Sequence, residues 1–236
     1  MKIALLGYGK MGKTIEKIAI QNGHTISLTI DNAEEWKEKG KQLNNVDVAI
    51  DFSTPENIIS NIEYCFSNNI PLIVGTTAWY DKIEILKEKC IKENQSLLWA
   101  SNFSIGVNIF FKINQELAKL MNKYDDYNIS IEEIHHTAKL DAPSGTAISL
   151  AKDIIKEVDR KTKWEIDSET NDVLNITAKR IDPVPGTHSI TYESDIDKIE
   201  IVHTAKSRDG FAKGAIVAAE WLVNNKGWHE FKDVFF

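Results

Sequence analysis

Residues 2–12 constrain the fold of this chain more than any other stretch: Lys2-Ile3-Ala4-Leu5-Leu6 runs into Gly7-Tyr8-Gly9-Lys10-Met11-Gly12. The first five read as a buried strand, and the glycine run opens a helical pattern through Ile15, Ile18 and Ala19. Gly7 permits a tight turn, Gly9 lets the backbone approach a pyrophosphate, and Gly12 lets the helix lie close to its strand. Such a run is weak evidence in isolation, but here it begins a βαβ unit. The next strand, Thr25 to Ile30, ends in Asp31. That is roughly 20 residues beyond the glycines, where a carboxylate can bind the adenosine ribose hydroxyls of a dinucleotide.

The alternation continues. Val46 to Ile50 reads as a strand, Asp51 to Pro55 as a turn, Asn57 to Phe66 as a helix, Pro71 to Val74 as a strand, Trp79 to Ile91 as an amphipathic helix and Leu97 to Ala100 as a strand. Strands alternating with helices predict a right-handed, doubly wound parallel sheet. Ligands of such sheets sit beyond the carboxyl ends of the strands. Asp51–Thr54, Gly75-Thr76-Thr77 and Ala100-Ser101-Asn102-Phe103 therefore join Gly7–Gly12 as candidates for one cofactor crevice.

After Ser104 the grammar changes. Gly106 to Met121 predicts a helix with Phe110, Ile113, Leu117 and Leu120 on its apolar face, and Asn128 to Ile134 a strand. A helix to about Val158 follows, then a polar connector, Asp159 to Asn171. Three strands come next without intervening helices: Val173–Arg180, Thr187–Glu193 and Lys198–His203. That order indicates a mixed or antiparallel sheet with a face able to pair subunits. The last helix, Phe211 to Val223, is expected to return to the first domain. The predicted fold is α/β, an N-terminal Rossmann-like parallel-sheet domain (1–104 and 208–236) plus a smaller α+β domain (105–207) for substrate and assembly.

Between that first strand and helix of the second domain lies the densest chemistry, Glu132-Glu133-Ile134-His135-His136-Thr137-Ala138-Lys139-Leu140-Asp141-Ala142-Pro143-Ser144-Gly145-Thr146-Ala147. Pro143 favours a helix's first turn, Ser144 can cap, and Gly145-Thr146 exposes backbone N–H groups at the positive end of the helix dipole. Lys139 and His136 add donors, and His135 is a candidate for proton exchange. A plain helix cap has no use for two imidazoles and an ammonium, so the stretch reads as an anion site.

Composition narrows the field. A net charge of −7 with scattered Lys and Arg argues against nucleic acid. No apolar run approaches the roughly 20 residues of a membrane helix, and Met1-Lys2 leads into a strand without the form of a secretory signal. Cys65 and Cys90 make neither a metal-ligand spacing nor a disulfide framework, so no metal is expected and a reducing, cytoplasmic home is.

The string His135-His136-Thr137-Ala138-Lys139-Leu140-Asp141-Ala142-Pro143-Ser144-Gly145-Thr146-Ala147 resembles the signature of the dihydrodipicolinate reductase family, now called 4-hydroxy-tetrahydrodipicolinate reductases. The likeness extends along nearly the whole chain, through the N-terminal glycines, Gly75-Thr76-Thr77, Ser101-Asn102-Phe103-Ser104 and His203-Thr204-Ala205-Lys206-Ser207-Arg208. It implies reduction of 4-hydroxy-tetrahydrodipicolinate by a nicotinamide hydride, with loss of water, in the diaminopimelate route to lysine. By resemblance His135 is a proton donor or acceptor and Lys139 a proton donor. His136, Gly145 and Thr146 bind the dicarboxylate. Gly7, Tyr8, Gly9, Lys10, Met11, Gly12, Asp31, Gly75, Thr76, Thr77, Ala100, Ser101, Asn102 and Phe103 contact the cofactor. A cytoplasmic homotetramer is also implied.

Asp31 followed by Asn32, with no arginine for a 2′-phosphate, predicts a preference for NADH, with NADPH usable and Lys10 and Lys13 softening the choice. The chain departs from the family pattern at Ser130, usually glutamate, and at Thr137, often arginine; the second loses a charge that could help hold a dicarboxylate. Another two-domain nicotinamide dehydrogenase, or a non-catalytic NADH-binding regulator, are the alternatives.

Overall fold

The computed structural model describes residues 1–235; Phe236, the last residue of the expected 208–236 segment, lies outside them. The chain divides into two compact units. Unit 1 comprises Met1–Ile105 and the chain from Asp209 onward, and unit 2 is Gly106–Arg208. The changeovers fall one residue beyond the expected 104/105 and 207/208.

Unit 1 holds β1 (Lys2–Leu6), α1 (Lys10–Gln21), β2 (Thr25–Ile30), α2 (Ala33–Lys39), β3 (Val48–Asp51), α3 (Ile58–Ser67), β4 (Leu72–Val74), α4 (Ile83–Lys92) and β5 (Ser96–Trp99). All its strands pair in parallel, in the order β11-β5-β4-β3-β1-β2, where β11 is Gly227–Glu230. Strands β1, β3, β4 and β5 are almost wholly apolar because both faces of the sheet are covered. One core contains Ile58, Ile62, Phe66, Trp79 and Leu86. The other takes Ile15 and Ala19 with Ala212, Ala215, Ile216 and Ala219 of the last helix, α7 (Asp209–Leu222). The order reverses between β1 and β3, the switch point at which such sheets bind ligands.

Several expectations for unit 1 need correction. Helix α2 and strand β11 were not foreseen: α2 buries none of its residues, and β11 is half-buried with no alternating pattern. The segment expected as one helix from Trp79 starts as a 3₁₀ turn, Tyr80–Lys82, before α4.

Unit 2 contains α5 (Ile105–Met121, but for its first residue), β6 (Asn128–His135), α6 (Gly145–Glu157), β7 (Lys163–Ile166), β8 (Val173–Arg180), β9 (Gly186–Glu193) and β10 (Lys198–Ala205). The sheet runs β10-β9-β6-β8-β7 and is mixed: β6 is parallel to β8 and antiparallel to β9. Alternate residues Ile129, Ile131, Leu174, Ile176, Ile190 and Tyr192 pack with α5 and α6. Two expectations fail here. The connector after Val158 is not all loop, since β7 forms within it as a mostly exposed edge strand. The buried stripe of α5 is Val107, Phe110, Asn114, Ala118 and Met121, while Ile113 and Leu120 are 47% and 67% exposed. Burial follows helical geometry through a polar and a small residue that a hydrophobicity pattern skips; Asn114 is tolerated because its side-chain amide donates to the Leu150 carbonyl at 3.1 Å.

Candidate active site

In unit 1 the expected cofactor residues gather at the carboxyl ends of the strands. Gly7 has φ +88°, and a Cβ there would lie 2.4 Å from the Phe52 carbonyl oxygen. A Cβ on Gly12 would lie 2.4 Å from the Gly7 oxygen, whereas one on Gly9 would meet nothing within 4 Å. Two glycines are thus demanded by close backbone packing, and the third leaves the approach to the helix start open. Gly9 caps α1 without a side-chain hydrogen bond, so the first N–H groups of α1 are available to an anion. These are the features a pyrophosphate requires, and the chain fits a dinucleotide.

Asp31 is exposed at the end of β2, where its Oδ1 accepts from the Tyr8 N–H at 2.6 Å. Its own N–H donates to Glu35 Oε2 at 2.7 Å. The Asn32 side chain is used as the cap of α2, accepting from Glu35 N–H, and Glu34 and Glu35 occupy the first turn. The Lys39 ammonium, 3.0 Å away, holds the Glu35 carboxyl below its ordinary range. Two neighbouring carboxylates, Asp31 and Glu35, therefore stand just past the end of β2.

Asp51, expected with Ser53 and Thr54 among the loops of the cofactor crevice, organises the loops around it. Fully buried, its Oδ1 accepts from Ser53 N–H, Ser53 Oγ and Thr76 Oγ1 at 3.0, 2.8 and 2.7 Å, and Oδ2 accepts from Asn61 Nδ2 at 2.7 Å. Burial pushes its pKa up against these hydrogen bonds, which pull it down. Thr76 is thereby turned inward and Thr77 is left exposed; a Cβ on Gly75 would strike the Phe52 ring at 2.2 Å. Ala100 and Asn102 are half-buried and Ser101 is exposed. The Phe103 ring is a core element packed on Phe231 at 5.0 Å between centroids, leaving only its backbone for a ligand.

In unit 2 strand parity does the positioning. Residues 129, 131, 133 and 135 of β6 share the helix-covered face, so Glu133 and His135 continue the line of the core. Register sets Glu133 opposite His188 of β9 and His135 beside Arg180 of β8. Glu133 is wholly buried. Both its oxygens accept from Ser144 N–H, at 3.1 and 3.0 Å, and Oε1 also accepts from Arg180 Nη2 at 3.2 Å. Burial works to raise its pKa, but His188 3.6 Å away, the hydrogen bonds from Ser144 and the facing His135 outweigh it and hold the group at about 2.

His135 Nδ1 lies 3.5 Å from Glu133 Oε2, beyond a good hydrogen bond, and has no other partner among the described residues. Burial, then the charges of His188, Lys139 and Arg180, push its pKa down to about 4 against the opposing pull of Glu133. Glu133, His135 and His188 present metal-ligand atoms within 4.8 Å of one another. The carboxylate, however, is already shared between Ser144 and a guanidinium, which makes this a hydrogen-bonded cluster.

The loop after β6 turns through a Lys139 N–H to His136 C=O bond of 3.1 Å and presents Lys139, whose Nζ donates to both Asp141 oxygens at 2.8 and 2.9 Å. His136 is half-buried. Thr137 pins this loop: its N–H donates to Asp182 Oδ1 at 3.0 Å and its hydroxyl to Oδ2. Ser144 caps α6 as expected, accepting from Ala147 N–H at 3.2 Å. Pro143, expected in the first turn, lies before the cap instead, because Ser144 is itself extended and Gly145 starts the helix. Gly145 is exposed and Thr146 half-buried, so the helix start faces outward beside Lys139's loop.

Sequence reasoning missed Glu133, Arg180 and His188 as site residues. Glu133 lay inside the signature stretch; the two others became visible only through strand register.

Comparison with known proteins gives a consistent picture. Family models described as "Dihydrodipicolinate reductase, N-terminus" and "Dihydrodipicolinate reductase, C-terminus" match residues 1–103 and 106–235. A Christiangramia forsetii protein named 4-hydroxy-tetrahydrodipicolinate reductase is 51% identical over 99% of this chain and 97% of its own length. One of the same name from Thermosipho africanus is 35% identical over 99% and 97%. Among solved structures, a dipicolinate-bound dihydrodipicolinate reductase from Paenisporosarcina sp. TG-14 superposes with a TM-score of 0.78 at 20% identity, covering 100% of this chain and 99% of that one. That last likeness bears on the fold.

Proposed function

This chain belongs to the dihydrodipicolinate reductase family, and from that premise we propose how its own residues carry the family's reaction. The reaction is the reduction of 4-hydroxy-tetrahydrodipicolinate to tetrahydrodipicolinate with loss of water, in lysine biosynthesis, at the expense of a nicotinamide nucleotide. When bound, that nucleotide supplies the hydride. Every other requirement falls on side chains and backbone: seat two carboxylates, and supply a proton to the ring as negative charge develops.

The observation that carries the assignment of roles is the placement of Lys139 and His136, both partly buried, on the loop that leads into the outward-facing start of α6. One substrate carboxylate takes the N–H groups of Gly145 and Thr146, with His136 and Lys139 as further donors. Lys139 delivers the proton. His135, held down near 4, is a neutral imidazole at physiological pH and serves as a hydrogen-bonding partner, not as an imidazolium acid. Arg180 reaches the same loop from β8 through the Lys139 and Asp141 carbonyls, with its charge paired to Glu133.

In unit 1 the glycine run takes the pyrophosphate and Asp31 the adenosine ribose. NADH is preferred over NADPH, since a 2′-phosphate would face both Asp31 and Glu35 without a guanidinium to pair it. Subunits assemble, as a tetramer, through the sheet face of unit 2 opposite α5 and α6, which carries Ser130, Thr187, Ser189 and Thr191. A cytoplasmic location fits two free, buried cysteines; among the described residues no helix is long and apolar enough to cross a membrane.

The test is oxidation of NADH, and separately NADPH, by the purified protein, with substrate made in situ from pyruvate and aspartate semialdehyde by a dihydrodipicolinate synthase. Absorbance loss dependent on that synthase, faster with NADH, is the expected result. Equal or faster NADPH turnover overturns the reading of Asp31 and Glu35.

A further inference from the structure

Beneath the loop of residues 136–144 lies an ion pair to which no role has yet been given, a fully buried Glu133 carboxylate against a partly buried Arg180 guanidinium. Taking a carboxylate fully out of water costs several kcal/mol, with a smaller cost for the partly buried guanidinium, and apolar residues of the same volume often serve stability as well or better. The Glu133–Arg180 pair is therefore weak evidence of stabilisation. What it joins is more telling. Glu133 accepts twice from the N–H of Ser144, the residue that caps α6, and faces His135 at 3.5 Å and His188 at 3.6 Å. Arg180 spends its remaining donors on the loop that bears the ammonium: Nε donates to the Lys139 carbonyl at 3.3 Å and Nη2 to the Asp141 carbonyl at 2.6 Å, while Nη1 donates to its neighbour Lys179 at 2.8 Å. His188 closes the ring through the Ser144 hydroxyl at 3.0 Å.

We propose that Glu133, acting through Arg180, is a positioning residue of the reductase, a buried clamp that fixes the Lys139 loop and the anion-binding start of α6 against His135. The geometry follows from the sheet. Glu133 and Arg180 are on adjacent parallel strands and on the same, helix-covered face, so their pairing is as rigid as the strand register. Residues 136–144 have no strand or helix of their own to hold them. Arg180 ties them at two carbonyls and Glu133 ties their end at one N–H. A loop held only by Thr137 and Asp182 would leave Lys139 free to wander, and misplacement of a proton donor by 1 Å can cost about 100-fold in rate.

This inference rests on the roles given to Lys139 and His135, and the experiment separates the two. Steady-state kinetics are compared for Glu133→Gln, Arg180→Lys, Arg180→Met, the double variant Glu133→Gln/Arg180→Met, and Lys139→Ala as control. Gln keeps the shape and an acceptor for Ser144, and Lys keeps the charge but loses the fork. Expected is a fall in kcat of about 10- to 100-fold in Glu133→Gln and Arg180→Lys, with the KM for NADH unchanged and an intact far-ultraviolet spectrum. The double variant should lose no more than the worse of its parents, as members of one unit do. A structural role alone predicts lowered melting temperature with kcat near the parent value in folded protein. That result, or losses that multiply in the double variant, overturns the proposal. Should Glu133→Gln not fold, Arg180→Lys decides it: folded protein with kcat within about twofold of the parent overturns the clamp. If Lys139→Ala is also fully active, it is the assignment of Lys139 that has failed.

Discussion

The depressed pKa of His135 is open to direct measurement. The residue is 8% exposed, and burial together with the neighbouring positive groups lowers its pKa from 6.5 to about 4. The folded protein therefore resists protonation that the unfolded chain accepts freely. The stabilising contribution is fully present above pH 6.5 and is lost as pH falls toward 4, never on the alkaline side. At pH 5 the unfolded imidazole is almost wholly charged and the folded one mostly neutral, a difference worth about 2 kcal/mol; the limit below pH 4 is about 3 kcal/mol. The assay is urea unfolding of the parent and His135→Gln at pH 8 and pH 5, alongside a titration of the His135 ring proton by nuclear magnetic resonance. Gln cannot be protonated, so the parent should lose about 2 kcal/mol more than the variant between the two pH values. His203, which burial also lowers, is common to both proteins and cancels. Parallel losses in the two proteins, or a ring midpoint at or above 6.5, would refute the reasoning and return His135 to the list of proton donors.

Other perturbations follow from the same geometry. Lys139→Ala should lower kcat by about 100-fold or more, the usual worth of a positioned acid, while leaving NADH affinity by fluorescence titration unchanged, since the lysine belongs to unit 2. In Gly7→Ala the new Cβ would meet Phe52 and Ser53 backbone at 2.4–2.7 Å in a left-handed conformation; a destabilisation on the order of 2–5 kcal/mol in thermal melting, with loss of NADH binding, is expected. Asp51→Asn replaces an acceptor of four hydrogen bonds by a group that is half donor, so a cost of about 1–3 kcal/mol should accompany weaker NADH binding as the loops of Ser53 and Thr76 loosen. Glu35→Gln should raise NADPH turnover relative to NADH, measured as the ratio of kcat/KM values; an unchanged ratio removes Glu35 from the account of cofactor choice.

What could be read in the sequence were features whose cause is local. The parallel strands of unit 1 announce themselves as short apolar runs because both faces are buried, and Gly7 and Gly12 mark a backbone approach that no side chain permits. The Ser144 cap follows from the chemistry of one side chain and its nearest N–H groups. Edge strands β7 and β11 escaped notice because partial exposure leaves no alternation to detect. The face of α5 was misjudged because Asn114 becomes acceptable as core only when the Leu150 carbonyl arrives from another helix.

The sequence alone determined which groups the site would contain between residues 135 and 146, since a strand, a short loop and a capped helix keep close neighbours in chain close in space. Tertiary structure decided what those groups can do. Arg180 and His188 lie 45 or more positions away from His135 in the chain and reach Glu133 only because β8 and β9 flank β6 in a particular register. The protonation of His135 was likewise beyond sequence: a pKa is set by desolvation and by charges within a few ångströms, and for this imidazole burial is the largest cause and two of the charges, His188 and Arg180, arrive from other strands.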